Sequence, residues 1–420
     1  MRYLKASVVI ALISAFLVGT LYGTGFARTL EKALRHFYGM PYIGVPPLEG
    51  GQFVVLFLFA WAIAWTTVDI IKPILKCVVA FLTILLLFTG SWVMSLYGVF
   101  FSPFTSVAAV AVSLGIGLTY GRSEDGMRKK VLNRLFGARL SRRSVQKLVD
   151  SEEALSFSGS RVECSVLVCE ISNHGHLMSL EPEDYVAMTN LYLRAASDYL
   201  VDVGGYLDEC DGESIRVIFG APVADEKHAT SALRAALELA VRLDNVNKDC
   251  DAQWHRRFDF CIGVHSGEMI AAAYGGTRLG SFSVAGEPVE FTRRLCTAAA
   301  IYGARILTTA DTFSDTGDMF EARPMDLILE PVTRRRIEIY EILSIHNGLS
   351  PERKRSRDHF WKGVIYYRER KWVQAVEELS KARISGLPDA ALDYYVQRVE
   401  RARRGEPEAT REHSALVNVL

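Results

Sequence analysis

The chain has 420 residues, half of them apolar, and its 48 basic and 48 acidic side chains cancel. Domains usually contain about 100–200 residues, so this length predicts two or three structural units. A balanced charge provides no overall attraction to nucleic acid, and we expect no nucleic-acid partner. The seven cysteines include no CxxC pair, which argues against a disulfide framework or a zinc knot and favours a reducing compartment.

Residues 1–121 are mostly apolar and contain four apolar runs, at 5–27, 52–71, 73–97 and 104–120. Each run is near the ~20 residues that a helix needs to cross a bilayer, so the sequence predicts a four-helix transmembrane bundle. A removable signal peptide is the alternative for the first run, and it leaves three spans. The small side chains of Ser113, Gly115 and Gly117 predict close helix contact in the last run.

Basic residues flank both ends of this region, with Arg2 and Lys5 before it and a cluster of lysines and arginines at 122–139 after it. The positive-inside rule then places both ends in the cytosol, although the basic residues of the first loop argue mildly against this. No charged side chain lies in the middle of a run, so an anchoring and dimerising role is favoured over a transport path. We therefore expect a multi-pass protein of the inner (cytoplasmic) membrane whose remaining domains are cytosolic.

Residues 122–160 are basic and carry apolar side chains at helical spacing, which predicts an amphipathic linker helix. From residue 161 the pattern predicts a buried strand, a helix at 182–203, a hairpin turning at Asp211-Gly212, and a helix at 226–247. A strand pair turning at Ser266-Gly267 follows, then a strand, a helix at 288–302 and three further strands. This alternation predicts an α+β sandwich, a mixed sheet with helices on one face.

Four segments of this region match the motifs of one family: SVLVCEISNHG, ECDGESIRVIFG, CIGVHSGEMIAAAYGG and FSVAGEPVEFTRRL. Over residues 161–312 the chain resembles the class III adenylate and guanylate cyclases. The resemblance implies a ferredoxin-like cyclase domain at 161–348. It also implies a homodimer that converts ATP or GTP to a cyclic nucleotide and pyrophosphate. His174 and His176 replace an aromatic and a hydroxyl residue of the first motif.

In the family two aspartates hold two Mg²⁺ or Mn²⁺ ions per site, and the matching positions here are Glu170 and Glu213. Charge and ligand type are kept, but each side chain is one methylene longer. The family also places an Asn and an Arg, four residues apart on one helix, against the phosphates across the dimer interface. These positions hold Glu290, which would repel a triphosphate, and Arg294. We expect the adjacent Arg293 to point elsewhere on the helix.

The base-selecting positions of the family correspond to Glu209 and Ser283. Adenylate cyclases carry a Lys at the first position, whereas guanylate cyclases carry a Glu there. A carboxylate accepts hydrogen bonds from guanine N1–H and its amino group, and a serine hydroxyl donates to guanine O6. The pair therefore leans toward guanine.

Residues 354–404 resemble one tetratricopeptide-like helical hairpin, and a plain helical hairpin is the alternative. A single repeat cannot bury its own apolar face, so it is expected to pack on the cyclase domain, its dimer mate or a protein partner. Residues 405–420 have the composition of a disordered tail.

Two function classes follow from these substitutions. One is a slow purine nucleotide cyclase anchored in the membrane. The other is a pseudocyclase, a catalytically inactive dimerisation and regulatory module.

Overall fold

The structure is a computed structural model that describes residues 2–39, 49–70, 72–97, 99–151, 159–275, 281–329 and 335–406. It divides into two compact units, Met1–Arg134 and Leu135–Leu420. The disordered tail predicted at 405–420 lies almost wholly outside the described residues.

The described residues up to 121 form five helices: α1 (Arg2–Gly23), α2 (Phe26–Phe37), α3 (Glu49–Asp69), α4 (Pro73–Leu96) and α5 (Pro103–Tyr120). Proline occupies the first turn of α4 and α5, where a helix has no use for its amide hydrogen. Three helices are long and apolar enough to cross a membrane, at Tyr3–Gly23, Ile74–Leu96 and Pro103–Tyr120. The remaining predicted span, at 52–71, corresponds to the shorter apolar helix Phe53–Asp69. Four crossings therefore remain a prediction.

Small residues line the contact between helices in this unit. A Cβ at Gly117 of α5 would lie 2.1 Å from the Thr67 hydroxyl of α3, so the two backbones approach as closely as glycine permits. This confirms the predicted role of Gly117, whereas no atom lies within 4 Å of a Cβ at Gly115. Many large apolar side chains of the unit, such as Phe16 and Phe81, are exposed, as expected of surfaces that face lipid.

The second unit is built on one mixed sheet, in which the described residues form eight strands. They are β1 (Ser160–Ile171), β2 (Tyr206–Cys210), β3 (Ser214–Phe219), β4 (Phe260–Tyr274), β5 (Ser281–Ala285), β6 (Ile306–Thr309), β7 (Phe320–Leu329) and β8 (Arg336–Ile345). The strand order is β2-β3-β1-β4-β6-β8-β7, and β5 pairs with β4. Only the β4–β6 pair is parallel. The predicted α+β class and hairpin are confirmed.

The predicted turn at Ser266-Gly267 is wrong, because β4 continues through both residues. Gly267 pairs with Cys164, and Ser266 pairs with Ser165, in an unbroken ladder with β1. The glycine serves packing instead, since a Cβ there would lie 2.9 Å from the Pro288 ring. A Ser-Gly pair is a turn signal only where the neighbouring strand permits the chain to leave the ladder.

Two faces of the sheet carry helices, contrary to the expectation of one. The described α-helices between β1 and β7 are α8 (His174–Leu177), α9 (Pro182–Asp202), α10 (His228–Trp254), α11 (Glu287–Tyr302) and α12 (Ala310–Ser314). Side chains of α9 and α10 share a core with Ile262 and Val264 of β4. Side chains alternate along a strand, so Gly263 faces the other side, where α11 lies. A Cβ at Gly263 would be 2.5 Å from the Thr292 carbonyl oxygen.

The predicted linker helix is two helices, α6 (Glu124–Phe136) and α7 (Arg142–Asp150), separated by a turn. Arg139 in this turn docks on the edge strand β2. Its carbonyl accepts from the Leu207 amide at 2.9 Å, and its guanidinium donates to the Asp208 carbonyl at 2.8 Å. The Phe136 ring packs against Tyr206 and Phe282. Residues 152–158 of the predicted linker lie outside the described residues.

Three helices follow the sheet: α13 (Pro351–Arg368), α14 (Trp372–Ala382) and α15 (Ala390–Arg403). They dock on β7 through buried charges. Arg323 binds Glu341 and Asp389, and Arg398 donates to Asp326 at 2.7 Å with 2% of its surface exposed. The Tyr395 hydroxyl donates to the Met325 carbonyl. The tetratricopeptide likeness stays a prediction, but these helices contact the sheet of their own chain.

Candidate metal and nucleotide site

The two residues predicted to bind metal lie on neighbouring segments of the sheet. Glu170 lies near the end of β1, where it pairs with Ser214 of β3, and Glu213 lies in the turn between β2 and β3. The Ile171 amide donates to the Glu213 carbonyl at 2.9 Å, which fixes the turn against the end of β1. Strand pairing therefore brings residues 43 positions apart in the chain to one edge of the sheet.

Burial raises the pKa of the Glu170 carboxyl, and the nearby Arg293 guanidinium partly offsets this. The charges of Asp211 and Glu213 raise the pKa of Glu170 further. Several acids at one edge repel each other, and a bound cation would relieve that repulsion. Carboxylate oxygens are the ligands that Mg²⁺ prefers, so the donor set fits the predicted metal.

Glu213 is held by a histidine that our sequence analysis noted only as a substitution. The His174 Nε2 lies 3.1 Å from the Glu213 carboxylate and 2.7 Å from the Tyr185 hydroxyl. One ring nitrogen carries at most one proton, so Nε2 donates to one partner at a time. Tyr185 is a further site residue that no motif of the chain marks.

Asp211 was also missed, and its role is in the turn. Its carboxylate accepts hydrogen bonds from the amides of Glu213 at 2.9 Å and Ser214 at 2.6 Å. This is the side-chain turn that aspartate favours. Asp211 thus shapes the loop that carries Glu213, while its charge acts on Glu170.

The predicted base-selecting Glu209 is bound by two arginines. Its carboxylate lies 2.9 Å from Arg216 and 3.4 Å from Arg293. The expectation that Arg293 points elsewhere is wrong. Helix α11 lies on β1 and β4, so the flank that carries Arg293 faces Glu209 and Glu170.

The other predicted residues do not join this cluster. Ser283 lies on β5 and pairs with Ala272, on the opposite half of β4 from Cys261, which pairs with Glu170. Glu290 is exposed in the first turn of α11, and Arg294 is half-buried one turn later. Among the described residues, neither Glu290 nor Arg294 has a hydrogen bond or ion pair with another side chain.

Two thiols lie directly beneath Glu170. The Cys261 and Cys296 sulfurs are 3.3 Å apart, and with a Glu170 carboxylate oxygen they lie within 4.8 Å of one another. The Cys296 thiol donates to the Cys261 carbonyl at 3.0 Å. Burial raises the pKa of Cys296 well above its usual range. Chain spacing gave no signal for this cluster, because its members come from two strands and a helix.

Comparison with known proteins bears on the same domain. No protein-family model matches the chain. The chain is 27% identical to adenylate cyclase 1 of Rhizobium meliloti (strain 1021) over 164 residues, which are 39% of this chain and 25% of that protein. By this similarity the domain resembles the class III nucleotide cyclases. The resemblance predicted from the motifs is thereby confirmed.

Other relatives match a similar part of the chain. An uncharacterized protein of Mycobacterium tuberculosis (strain H37Rv) is 26% identical over 195 residues, which are 46% of this chain and 33% of that protein. The chain thus matches only a quarter to a third of the length of these curated relatives.

Solved structures that align with the chain include two cyclases. The guanylyl cyclase Cya2 is 23% identical, and the alignment covers 46% of this chain and 97% of that chain with a TM-score of 0.41. The adenylyl cyclase CyaB from P. aeruginosa is 22% identical, with 46% and 99% covered and a TM-score of 0.42.

Proposed function

We propose that the chain is a membrane-anchored signalling protein that converts a purine nucleoside triphosphate, ATP or GTP, to a cyclic nucleotide and pyrophosphate at a low rate. The observation that carries this is the meeting of Glu170 and Glu213 at one edge of the sheet, where the pKa of Glu170 is raised. Two acids are kept at the positions where the family binds metal. Their placement follows from the strand pairing and does not depend on the resemblance.

Mg²⁺ or Mn²⁺, two ions per site, is the cofactor that these carboxylates would hold. Such ions, when bound, neutralise charge on a triphosphate and on the attacking and leaving oxygens. The protein's own part is to orient the carboxylates. Asp211 shapes the turn, and His174 holds Glu213.

The low rate follows from the side chains. Glutamate moves each carboxylate by about 1 Å relative to aspartate, and a displacement of that size can cost ~100-fold in rate. Glu290 adds a negative charge where the family has a neutral donor, so it would repel the phosphates that Arg294 attracts.

A second copy of the chain would complete the site. Ser283 lies on the opposite half of β4 from the carboxylates, and Glu290 and Arg294 face no partner among the described residues. In a homodimer formed through the cyclase domain, these residues of one copy would meet Glu170 and Glu213 of the other. The catalytic domains would lie in the cytosol, beneath the inner membrane.

Guanine is the base that the remaining residues favour. A carboxylate has about four lone-pair positions, so Glu209 retains acceptor capacity beside Arg216 and Arg293. Ser283 would donate to guanine O6.

The alternative is a pseudocyclase, and two observations favour it. Glu209 is already neutralised by two arginines of its own chain. Glu290 is exposed at the helix that would face the phosphates. In that case the domain binds a nucleotide or a partner and regulates without turnover.

The test uses the full chain in lipid nanodiscs with ATP or GTP and with Mg²⁺ or Mn²⁺. We expect a cyclic product that disappears in Glu170→Ala and persists in the control Glu377→Ala, which alters an exposed glutamate of α14. Product that is equal in both variants contradicts the site. No product together with a nucleotide-dependent rise in melting temperature supports the pseudocyclase, and the absence of both contradicts nucleotide binding altogether.

A further inference from the structure

Glu170 has neighbours whose chemistry differs from that of the acids around it. Cys261 lies beside it on β4 in register, and Cys296 reaches the same place from α11. The Cys261 side chain is 2% exposed and Cys296 is fully buried, while Glu170 is half-buried and opens the cluster to solvent. The result is a cluster of two buried sulfurs beneath a half-buried carboxylate.

The spacing of these atoms is close to that of a tetrahedral metal site. Zinc lies about 2.3 Å from each thiolate sulfur, so two sulfurs on one tetrahedral ion are about 3.8 Å apart. The sulfurs here are 3.3 Å apart, and all three ligand atoms lie within 4.8 Å of one another. The sulfurs need to separate by only about half an ångström, which side-chain rotation provides.

We propose that Glu170, Cys261 and Cys296 form a site for a thiophilic divalent cation of the Zn²⁺ class. Binding replaces the two thiol hydrogens, which leave as two protons to solvent, and it forms two metal–sulfur bonds and one metal–oxygen bond. Three protein ligands leave the fourth tetrahedral position for water or a phosphate oxygen, the open arrangement of non-structural zinc sites. No oxidant or reductant is involved.

The ligand types distinguish this Zn²⁺-class ion from the Mg²⁺ or Mn²⁺ of the proposed function. Thiolates select zinc and other soft ions, whereas Mg²⁺ takes oxygen ligands. Two thiolates and one carboxylate around a divalent ion leave one negative charge, and Arg293 acts electrostatically on Glu170 from nearby. The two ions would compete for Glu170. Occupation by Zn²⁺ would therefore remove Glu170 from the magnesium site that it would form with Glu213, and that site would lose its activity.

A disulfide between the two cysteines is the competing interpretation. It requires the sulfurs to approach from 3.3 Å to about 2.05 Å and requires an oxidant to reach two buried thiols. The metal site uses all three groups as they stand.

The test is a Cd²⁺ titration of the reduced full chain in nanodiscs, without nucleotide, followed by ultraviolet thiolate-to-metal charge-transfer absorption. The parent carries Cys77→Ser and Cys210→Ser, which removes the two exposed thiols. We expect one Cd²⁺ per chain with an absorption typical of two thiolates, displaced by Zn²⁺ and not displaced by an equimolar amount of Mg²⁺. Cys261→Ala or Cys296→Ala should weaken binding at least tenfold, a loss of the size that even outer-shell changes cause at metal sites.

Cys250→Ala, another buried thiol, is the matched control and should bind as the parent does. Glu170→Gln alters a half-buried side chain and should weaken binding while keeping the charge-transfer band, so a misfolded cysteine variant does not decide the result. Equal binding in Cys250→Ala and Cys261→Ala, no band in the parent, or a Cys261–Cys296 disulfide in the isolated protein would each overturn the proposal. Because no nucleotide is present, this result is independent of whether the chain makes a cyclic product.

Discussion

Replacing Gly263 by alanine tests how closely α11 is held against the sheet. A Cβ at this position would lie 2.5 Å from the Thr292 carbonyl oxygen and 2.8 Å from the Cys296 amide nitrogen. Ordinary contacts of a Cβ are 3.4–4 Å long, and both obstacles are backbone atoms. The helix must therefore move away by roughly 0.5–1 Å to admit the methyl group.

The expected cost follows from two opposing effects. Overpacking of a core costs about 1–3 kcal/mol. Alanine restricts the unfolded chain more than glycine does, which returns about 0.4–1 kcal/mol. The net loss is about 1–2 kcal/mol, and a factor of ten corresponds to about 1.4 kcal/mol. Opening of the α11–β4 contact should therefore become about 5- to 30-fold more frequent.

Cys296 reports this opening directly, because its buried thiol reacts only when α11 separates from β4. We expect a thiol reagent to label Cys296 about 5- to 30-fold faster in Gly263→Ala, measured by mass spectrometry of the full chain. Gly175→Ala is the control, since no atom lies within 4 Å of a Cβ there. Equal labelling rates in both variants would show that α11 is not held as tightly as the structure implies.

Three further predictions concern charge. Arg398→Met should lower the free energy of unfolding by about 3–5 kcal/mol, because it leaves Asp326 buried without its cation. Adding Asp326→Leu should recover much of that loss. The rate at which a protease releases α15 measures both effects. Burial lowers the pKa of His265 to about 4 from 6.5, so its stabilising effect is complete above pH 6.5 and is lost as the pH falls toward 4. His265→Asn should flatten the dependence of the urea midpoint on pH in that window, and an unchanged slope would assign the dependence to other groups. Glu290→Asn, combined with aspartate at 170 and 213, should raise cyclic nucleotide formation, and no gain would mean that the site differs at more than these positions.

Local sequence patterns predicted most helices and strands of the second unit. The hairpin around Asp211-Gly212 and the helix that carries Glu290 and Arg294 are present because turn residues and apolar periodicity act over a few neighbours. The meeting of Glu170 and Glu213 was predicted through the family resemblance, and pairing of β1 with β3 explains it. The order of the family motifs along the chain predicts this pairing of β1 with β3.

Errors arose where packing over long distances decides the outcome. Gly267 resembles a turn residue, but it lies within a strand, where its lack of a side chain lets the Pro288 ring pack closely. Arg293 differs from Arg294 by one helical position, and only the placement of α11 on the sheet determines which of them faces Glu209. The thiol pair depends on that same placement, so chain spacing could not indicate it.

The turn around Arg139 has a practical consequence for anyone who expresses the second unit alone. Strand β2 is the outer strand of its side of the sheet, and Arg139 occupies hydrogen-bonding groups of Leu207 and Asp208 there. A fragment that starts at residue 161, where the motif similarity begins, would expose this strand as a template for other chains. A fragment that starts at Leu135 would keep the hydrogen bonds between Arg139 and β2. We expect it to stay monodisperse for longer at the concentrations that crystallisation requires.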